Sequence, residues 1–327
     1  GLPPAVMGTM FLLVRLLDAI TDPIMGAIAD ATSTRWGRFR PWLLAICVPF
    51  AVSCVLVYSI PSFSDSGKIA YAVAAYIFMT LMYTAINIPY CSLGAALTSD
   101  PRESLSLQSW RFAITPIGGA LGTAFILPLA DFLYPGDRAT GIQVSMALFG
   151  VIGCLMFITC FATTKERVQP IKEQNLNIAR DVKILFRNDQ WRILSVYNFM
   201  MLVAVVIRGG AVVYYVNSVL HKGADVITIF MLGGMFASML GSVLAKPFGT
   251  RFCKVRFSFW INLLTAALGV VCFIVPVQYW IAVLGVHILI SIIQGGNGAL
   301  QWSMITDVNN YGEWKTQRRI TGMNVAA

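Results

Sequence analysis

An all-α polytopic membrane protein is the fold class this sequence predicts, on three observations. Hydrophobic residues fill 57% of the 327 positions and charged residues only 12%, against roughly 25% charged in a soluble domain. Apolar runs longer than about 18 residues, each able to cross a hydrocarbon core of roughly 30 Å, recur along the whole chain. Lys and Arg are divided unequally between alternate connections. The mean hydropathy of +0.72 agrees.

The runs lie near 3–31, 41–60, 69–97, 105–134, 140–162, 192–219, 226–249, 257–277 and 279–304, and a tenth begins near 320. So many spans exclude a cleaved signal peptide as their explanation. With the end of the first run placed in the cytoplasm, Lys68, Arg138 and Lys222 fall on the outer side, and Arg15, Arg111 and Arg208 lie within spans. The other basic residues fall in or beside cytoplasmic connections, which is the positive-inside bias and fixes orientation. The net charge of +9 therefore predicts no nucleic-acid partner, because the cations occupy separate loops rather than one stripe. Seven cysteines, mostly within apolar runs and without CxxC spacing, read as small embedded side chains. Metal-cluster spacing, a GxSxG elbow and a GxxxxGK[ST] phosphate loop are all missing, so no enzyme and no resident cofactor are expected.

A basic pattern occurs twice. Asp30, Arg35, Arg38 and Arg40 in "DATSTRWGRFR" are matched by Lys246, Arg251, Lys254 and Arg256 in "KPFGTRFCKVR". Three basic positions keep their offset, and both stretches follow a run heading for the cytoplasm, as expected of two related halves. The one long polar connection, 164–190, divides the chain into bundles at 1–163 and 191–327. Equal halves require a helix ahead of Gly1 and more chain beyond Ala327. The expected parent has two pseudo-symmetric six-helix bundles, with helices 2–6, 7–10 and the start of 11 represented here. "DVKILFRNDQW" (181–191) reads as an amphipathic helix along the cytoplasmic interface.

Polar residues inside the runs carry the functional reading. Arg15, Asp18 and Asp22 share one face of the first helix. An ionised side chain near the bilayer centre costs roughly 2.5–3.5 kcal/mol even on permissive scales. Three on one stripe therefore imply mutual pairing, internal water or a bound ion. Asp22 precedes Pro23, which frees a backbone carbonyl. An oxygen-rich carboxylate pair suits Na⁺, and if no cation binds, the pair suits a proton. Tyr83, Thr84 and Asn87 in "YTAINIPYCSLG" offer neutral oxygens to an ion and hydroxyl or amide contacts to a polar ligand. Arg111, near Gln108, Trp110 and Thr115, can grip hydroxyls or a carboxylate, or serve as counter-charge to the aspartates. In the second half Arg208 is flanked by glycines. The stretch "IIQGGNGALQWSMITD" (292–307) brings Gln294, Asn297 and Gln301 at one-turn intervals, the composition of an irregular, cavity-lining helix. His287 reads as a packing residue.

At "RLLDAITDP", "RWGRFRP", "YTAINIP", "SWRF" and "DVNNYGEWK" (307–315) the sequence resembles the glycoside–pentoside–hexuronide:cation symporters of the major facilitator superfamily, the melibiose-carrier type. The resemblance covers essentially the whole chain. It implies two bundles rocking about a central site, with 307–315 in the loop before the eleventh helix. It also implies uptake of a glycoside or sugar acid with Na⁺, Li⁺ or H⁺ across the inner membrane of a bacterium; a monomer suffices, because both bundles belong to one chain. In that family the positions of Asp18, Asp22 and Thr84 go with the cation, and those of Tyr83, Asn87 and Arg111, with Arg15 nearby, face the sugar. Asn87 stands where the melibiose carriers have an acidic residue and Cys91 where they have a tryptophan. The lost carboxylate favours proton coupling.

The expected mechanism is symport by alternating access. Asp18, Asp22 and Thr84 hold the ion or proton, Asp18 and Asp22 being the Na⁺ ligands if the ion is Na⁺. Arg15, Tyr83, Asn87, Arg111, Asn297 and Gln301 form the sugar site, and Asp30, Arg35, Arg38 and Arg40 form a cytoplasmic gate. A lipid or lysolipid transporter of the same superfamily, or a sugar sensor that does not transport, are the competing readings. The density of Asn, Gln and Arg argues against the lipid carrier.

Overall fold

The computed structural model describes residues 4–59, 64–168 and 178–326; 169–177, within the expected connection, lie outside the described residues. The regular elements among the described residues are helices, with one isolated bridge between Thr34 and Gly37. In order come α1 (Pro4–Ala31), α2 (Arg40–Val57), α3 (Asp65–Leu97), α4 (Pro101–Leu133), α5 (Arg138–Thr163), α6 (Ile178–Arg187) and α7 (Asp189–Tyr214). A π turn (Tyr215–Val219) extends α7. Then follow α8 (Ala224–Gly249), α9 (Lys254–Ile274), a short 3₁₀ turn (Val277–Tyr279), α10 (Trp280–Thr316) and α11 (Thr321–Ala326).

Among the described residues eight helices are long and apolar enough to cross a membrane: Arg40–Val57, Gly67–Leu97, Pro101–Leu133, Arg138–Thr163, Asp189–Val219, Asp225–Gly249, Lys254–Ile274 and Trp280–Thr316. α1, at 28 residues, carries Arg15, Asp18, Asp22 and Asp30 within its apolar sequence. Large apolar side chains such as Phe132 and Phe273, the latter 91% exposed, cover the outside, where lipid rather than water is the solvent.

Two expectations are corrected. The stretch 307–315, expected in a loop, is helical and carries α10 to Thr316. The helix ends where Gln317 takes a left-handed φ of 56°. The glycine-rich stretch 292–307, expected to be irregular, is unbroken helix. Its glycines serve close packing instead. A Cβ on Gly295 would collide with the Ser238 carbonyl of α8, and one on Gly241 of α8 with the Ile292 carbonyl of α10.

The described chain forms two compact units. Unit 1 comprises Gly1–Thr98, Ala120–Asn188 and Asn309–Ala327; unit 2 comprises Ser99–Gly119 and Asp189–Val308. Unit 1 is built on Met25, Ala29, Phe39, Leu43, Cys47, Ile86, Ile88, Leu93 and Ala96, contributed by α1, α2, α3 and the turn before α2. That turn reverses at Gly37, whose φ of 113° favours glycine. The start of α2 would leave its first amides without acceptors. Glu166, in the chain leaving α5, accepts them from Arg38 (2.8 Å), Phe39 (2.9 Å) and Arg40 (3.0 Å). Unit 2 has a core of Val216, Leu220, Phe230 and Val283, with Val212 and Tyr215 packed against it.

Because the α8–α10 contact is backbone against backbone, no side chain can yield there. Gly241→Ala is expected to destabilise by about 1–3 kcal/mol, read as a lowered thermal midpoint in detergent. Gly153→Ala, where nothing lies within 4 Å of the added methyl, is expected to leave the midpoint in place or raise it.

Candidate functional site

The first polar cluster belongs to unit 1. α1 runs unbroken through Pro23 and presents Arg15, Asp18 and Asp22 on one stripe. Arg15 Nη1 donates to Asp18 Oδ2 at 3.2 Å, the arginine side chain 79% exposed and the aspartate 16%. Among the described residues the other carboxylate oxygen, Asp18 Oδ1, is buried without a hydrogen-bond donor, and the hydroxyl of Thr21 one turn on is buried without a partner. Thr84 of α3, buried, donates its hydroxyl to Asp22 Oδ1 at 2.8 Å. Asp18 and Asp22 also act on one another electrostatically. A carboxylate oxygen shut away from donors lacks what stabilises an anion, and a cation or a proton would supply it. Among the described residues no group of three His, Cys, Asp or Glu gathers as a metal site. The donor set here is carboxylate and hydroxyl oxygen, suited to a hard monovalent ion.

Next to it on α3, Tyr83 is 51% exposed, with its ring 6.2 Å from that of Phe50. Asn87 accepts the Cys91 thiol at 3.5 Å. These two positions, where the sequence departs from the melibiose-carrier pattern, thus bond to each other.

Arg111, on α4, belongs to unit 2. Its guanidinium lies 4.7 Å from the ring centroid of Trp302 on α10, a cation–π pairing, and the Phe112 and Trp302 rings are 6.2 Å apart. Gln108, one turn earlier, is buried, and its Oε1 has no donor among the described residues. Sequence reasoning missed Trp302. Its signal is faint: one aromatic beside Gln301 in a stripe read for its amides.

The other second-half residues form a ladder between α7 and α10. Asn297 is fully buried; its Oδ1 accepts from Tyr197 (2.9 Å) and its Nδ2 donates to Asn262 Oδ1 of α9 (3.2 Å). Asn262 Nδ2 donates back to Tyr197 (3.0 Å), closing a triangle. Gln301 donates to Asn198. Arg208 donates to Gln294, to Ser291 Oγ (2.7 Å) and to the carbonyl and Nδ1 of His287 (both 3.2 Å). Asn297 and Gln301, expected at the sugar, are here bonded to α7.

The residues expected to form the gate are anchored differently from one another. Asp30, 3% exposed, accepts the amides of Gly322 (2.9 Å) and Met323 (3.0 Å) at the start of α11. Arg38 donates to its carbonyl and, at 3.5 Å, to its carboxylate. Arg40 donates to the Phe161 carbonyl of α5 (2.5 and 3.2 Å) and stands over that ring. Arg35 lies 4.6 Å from the Trp36 ring centroid. A Cβ on Gly26 would come within 2.7 Å of the Gly322 carbonyl, so α1 and α11 meet at two glycines.

The cations opposite were missed by sequence reasoning. Arg319, 3% exposed, bonds Glu313 (2.6 Å), Asn310 (3.2 Å) and the Ala95 carbonyl near the end of α3 (3.0 Å). Arg318 pairs with Asp181 of α6 at 2.7 Å. Those two atoms are misaligned for a hydrogen bond, which Arg318 Nη2 makes instead at 3.2 Å. Burial pushes the Asp181 carboxyl above its ordinary value, against the opposing pull of Arg318. In unit 2 Lys254, the repeat partner of Arg38, bonds Ser303 and Asp307 of α10, both at 2.8 Å.

The family described as MFS/sugar transport protein matches residues 1–327. The chain is 40% identical over 326 residues to the inner membrane symporter YicJ of Escherichia coli K12, covering all of this chain and 70% of that protein. It is 38% identical over 323 residues to the putative glycoside/cation symporter YagG of the same organism, with 99% and 70% covered. The solved structure of the proton:xylose symporter XylE superposes with a TM-score of 0.68 at 15% identity, over all of this chain and 77% of that one. The chain belongs to the MFS/sugar transport protein family. It is an all-α, multi-pass secondary transporter and not an enzyme.

Arg319→Ala removes a buried guanidinium from Glu313 and from a backbone carbonyl. A loss of roughly 3–5 kcal/mol is expected, seen as a lowered unfolding midpoint in detergent. Adding Glu313→Gln to the same chain is expected to recover part of it.

Proposed function

We propose that this protein imports a glycoside, pentoside or hexuronide by symport with H⁺ or Na⁺ through alternating access, in the inner membrane of a bacterium, as a melibiose-carrier-type member of its family. The observation that carries the reading is the α1–α3 cluster: Asp22 bonded to Thr84, beside a buried Asp18 oxygen with no donor. Asp18, Asp22 and Thr84 take the coupling ion, and Tyr83, Asn87 and Arg111 the sugar, with Trp302 offering Arg111's neighbour ring to a sugar face. The likeness to YagG, a putative glycoside/cation symporter by name, supports the same reading.

Occupancy of the ion site neutralises the buried carboxylate and draws α1 and α3 together through Thr84. α3 carries both Thr84 and Asn87, so the ion and the sugar bias the same helix. Coupling of this kind is typically worth 1–3 kcal/mol between sites. Asp30 with Arg38, and Arg319 with Glu313, hold the cytoplasmic ends of α1, α3 and α11 and form the gate, Arg35 and Arg40 steadying the turn before α2.

In proteoliposomes, radiolabelled glycoside is expected to accumulate against its gradient when an inward H⁺ or Na⁺ gradient is imposed. Asp22→Asn is expected to abolish the accumulation and keep sugar exchange down a gradient. Full uphill accumulation by that variant would remove the carboxylates from the coupling role.

A further inference from the structure

The three arginines inside spans have been answered in different ways. Arg15 has the Asp18 carboxylate at 3.2 Å, and Arg111 has the π face of Trp302 at 4.7 Å. Arg208 has neutral oxygens and one ring nitrogen: Gln294 Oε1, Ser291 Oγ, and the carbonyl and Nδ1 of His287. Among the described residues no carboxylate lies within ion-pairing distance of it. His287 brings no negative charge in either of its protonation states, and its ring also bonds the Phe230 backbone.

The setting makes this a built site rather than a stray cation. One turn outward along α7 lies Val212, part of the apolar packing around Val216 and Phe230. Two turns inward lies Met201, whose sulfur is 3.6 Å from the Asn297 amide. Gly234 of α8 closes against the His287 ring and Ser291, so the acceptors that fix the guanidinium are themselves fixed. Of its five N–H donors, Nη1 and Nη2 are the ones these acceptors engage, and Nε–H has no acceptor among the described residues. The result is a half-buried, oriented positive charge in a membrane span with a donor to spare, a combination that favours an anionic partner.

We infer that Arg208, held against α10 by Gln294, Ser291 and His287, is the anion subsite that receives the carboxylate of an acidic sugar. This rests on the sugar-symport reading above and narrows it to uronide-class substrates. The neutral acceptors orient the guanidinium, and the substrate brings the counter-charge. Because the same three residues lie on α10, binding there acts directly on that helix.

The test is transport by the full-length protein in proteoliposomes, with methyl glucuronides and methyl glucosides of both anomers as matched probes. Wild type is expected to take up the glucuronide in preference. Arg208→Gln is expected to lose about 10- to 100-fold for the glucuronide, as for loss of a hydrogen bond to a charged group, and far less for the glucoside. Arg208→Lys, which keeps charge without the fork, is expected to retain the preference at weaker affinity, and it decides the matter if the Gln variant does not reach the membrane. Glucoside transport without a glucuronide advantage in wild type, or equal losses for both sugars in the variants, overturns this inference while sparing sugar symport. Uptake of neither sugar class overturns both.

Discussion

A hydrogen-bonding side chain inside a membrane-spanning helix has no water to turn to, so its partner has to come from another helix or from cargo. That constraint decides which helices of this chain are joined and at what height. In unit 1 it ties α1 to α3 through Asp22 and Thr84. In unit 2 it ties α7 to α10 at three levels, through Asn198 and Gln301, Tyr197 and Asn297, and Arg208 with Gln294 and Ser291. A rung of this kind contributes roughly 0.5–1.5 kcal/mol when made and costs more when one side is orphaned. Sliding either helix by a turn would orphan all three levels at once, so the polar pattern fixes the register that apolar packing in lipid leaves loose.

At the helix ends the same shortage falls on the backbone, and remote side chains meet it. Glu166 serves the first amides of α2, Asp30 those of α11, and Arg319 a carbonyl near the end of α3. α11 has six residues, too few to hold a helix unaided. Its place beside α1, α3 and α6 therefore rests on Asp30, Arg318 and Arg319. This is the physical reason that Asn309–Ala327 belongs to the same compact unit as the start of the chain. Ser104 bonded to Thr306 at 3.1 Å, and Leu105 packed on Gly249, do the corresponding work for Ser99–Gly119 in unit 2.

Spans and charged positions were legible in the sequence because hydropathy and residue type are local properties. Helix bounds fell within a few residues of the apolar runs except at the end of α10, which runs on to Thr316, and the Arg15, Asp18 and Asp22 stripe follows from helical spacing alone. Partners were less legible, since pairing depends on which helices become neighbours. Nothing in "VYNFMM" singles out Tyr197 and Asn198 until α10 is beside them, and Arg319 reads as one more positive-inside residue until it is found buried. The glycines of 292–307 misled for the same reason. Composition shows that a backbone is accessible, and only the neighbouring helix shows whether solute or another backbone occupies the space. The helical course of 307–315 was hidden because its polar face, through Asn309 and Asn310, is spent on Asn324 and Arg319.

These two kinds of contact give α10 unlike sides. Toward α8 it meets glycine against carbonyl at Gly295 and Gly241, a fit of backbones that cannot be exchanged for anything else and cannot be sheared without a clash. Toward α7 it is held by amide, hydroxyl and guanidinium groups, whose hydrogen bonds trade for those of another polar partner with small net change in free energy. A sugar presents that kind of partner, hydroxyl for hydroxyl. The α8–α10 contact therefore resists shear, whereas the α7–α10 contact consists of groups that can exchange partners. A leucine-rich α10 would pack α7 as well in lipid and would leave solute nothing to exchange with.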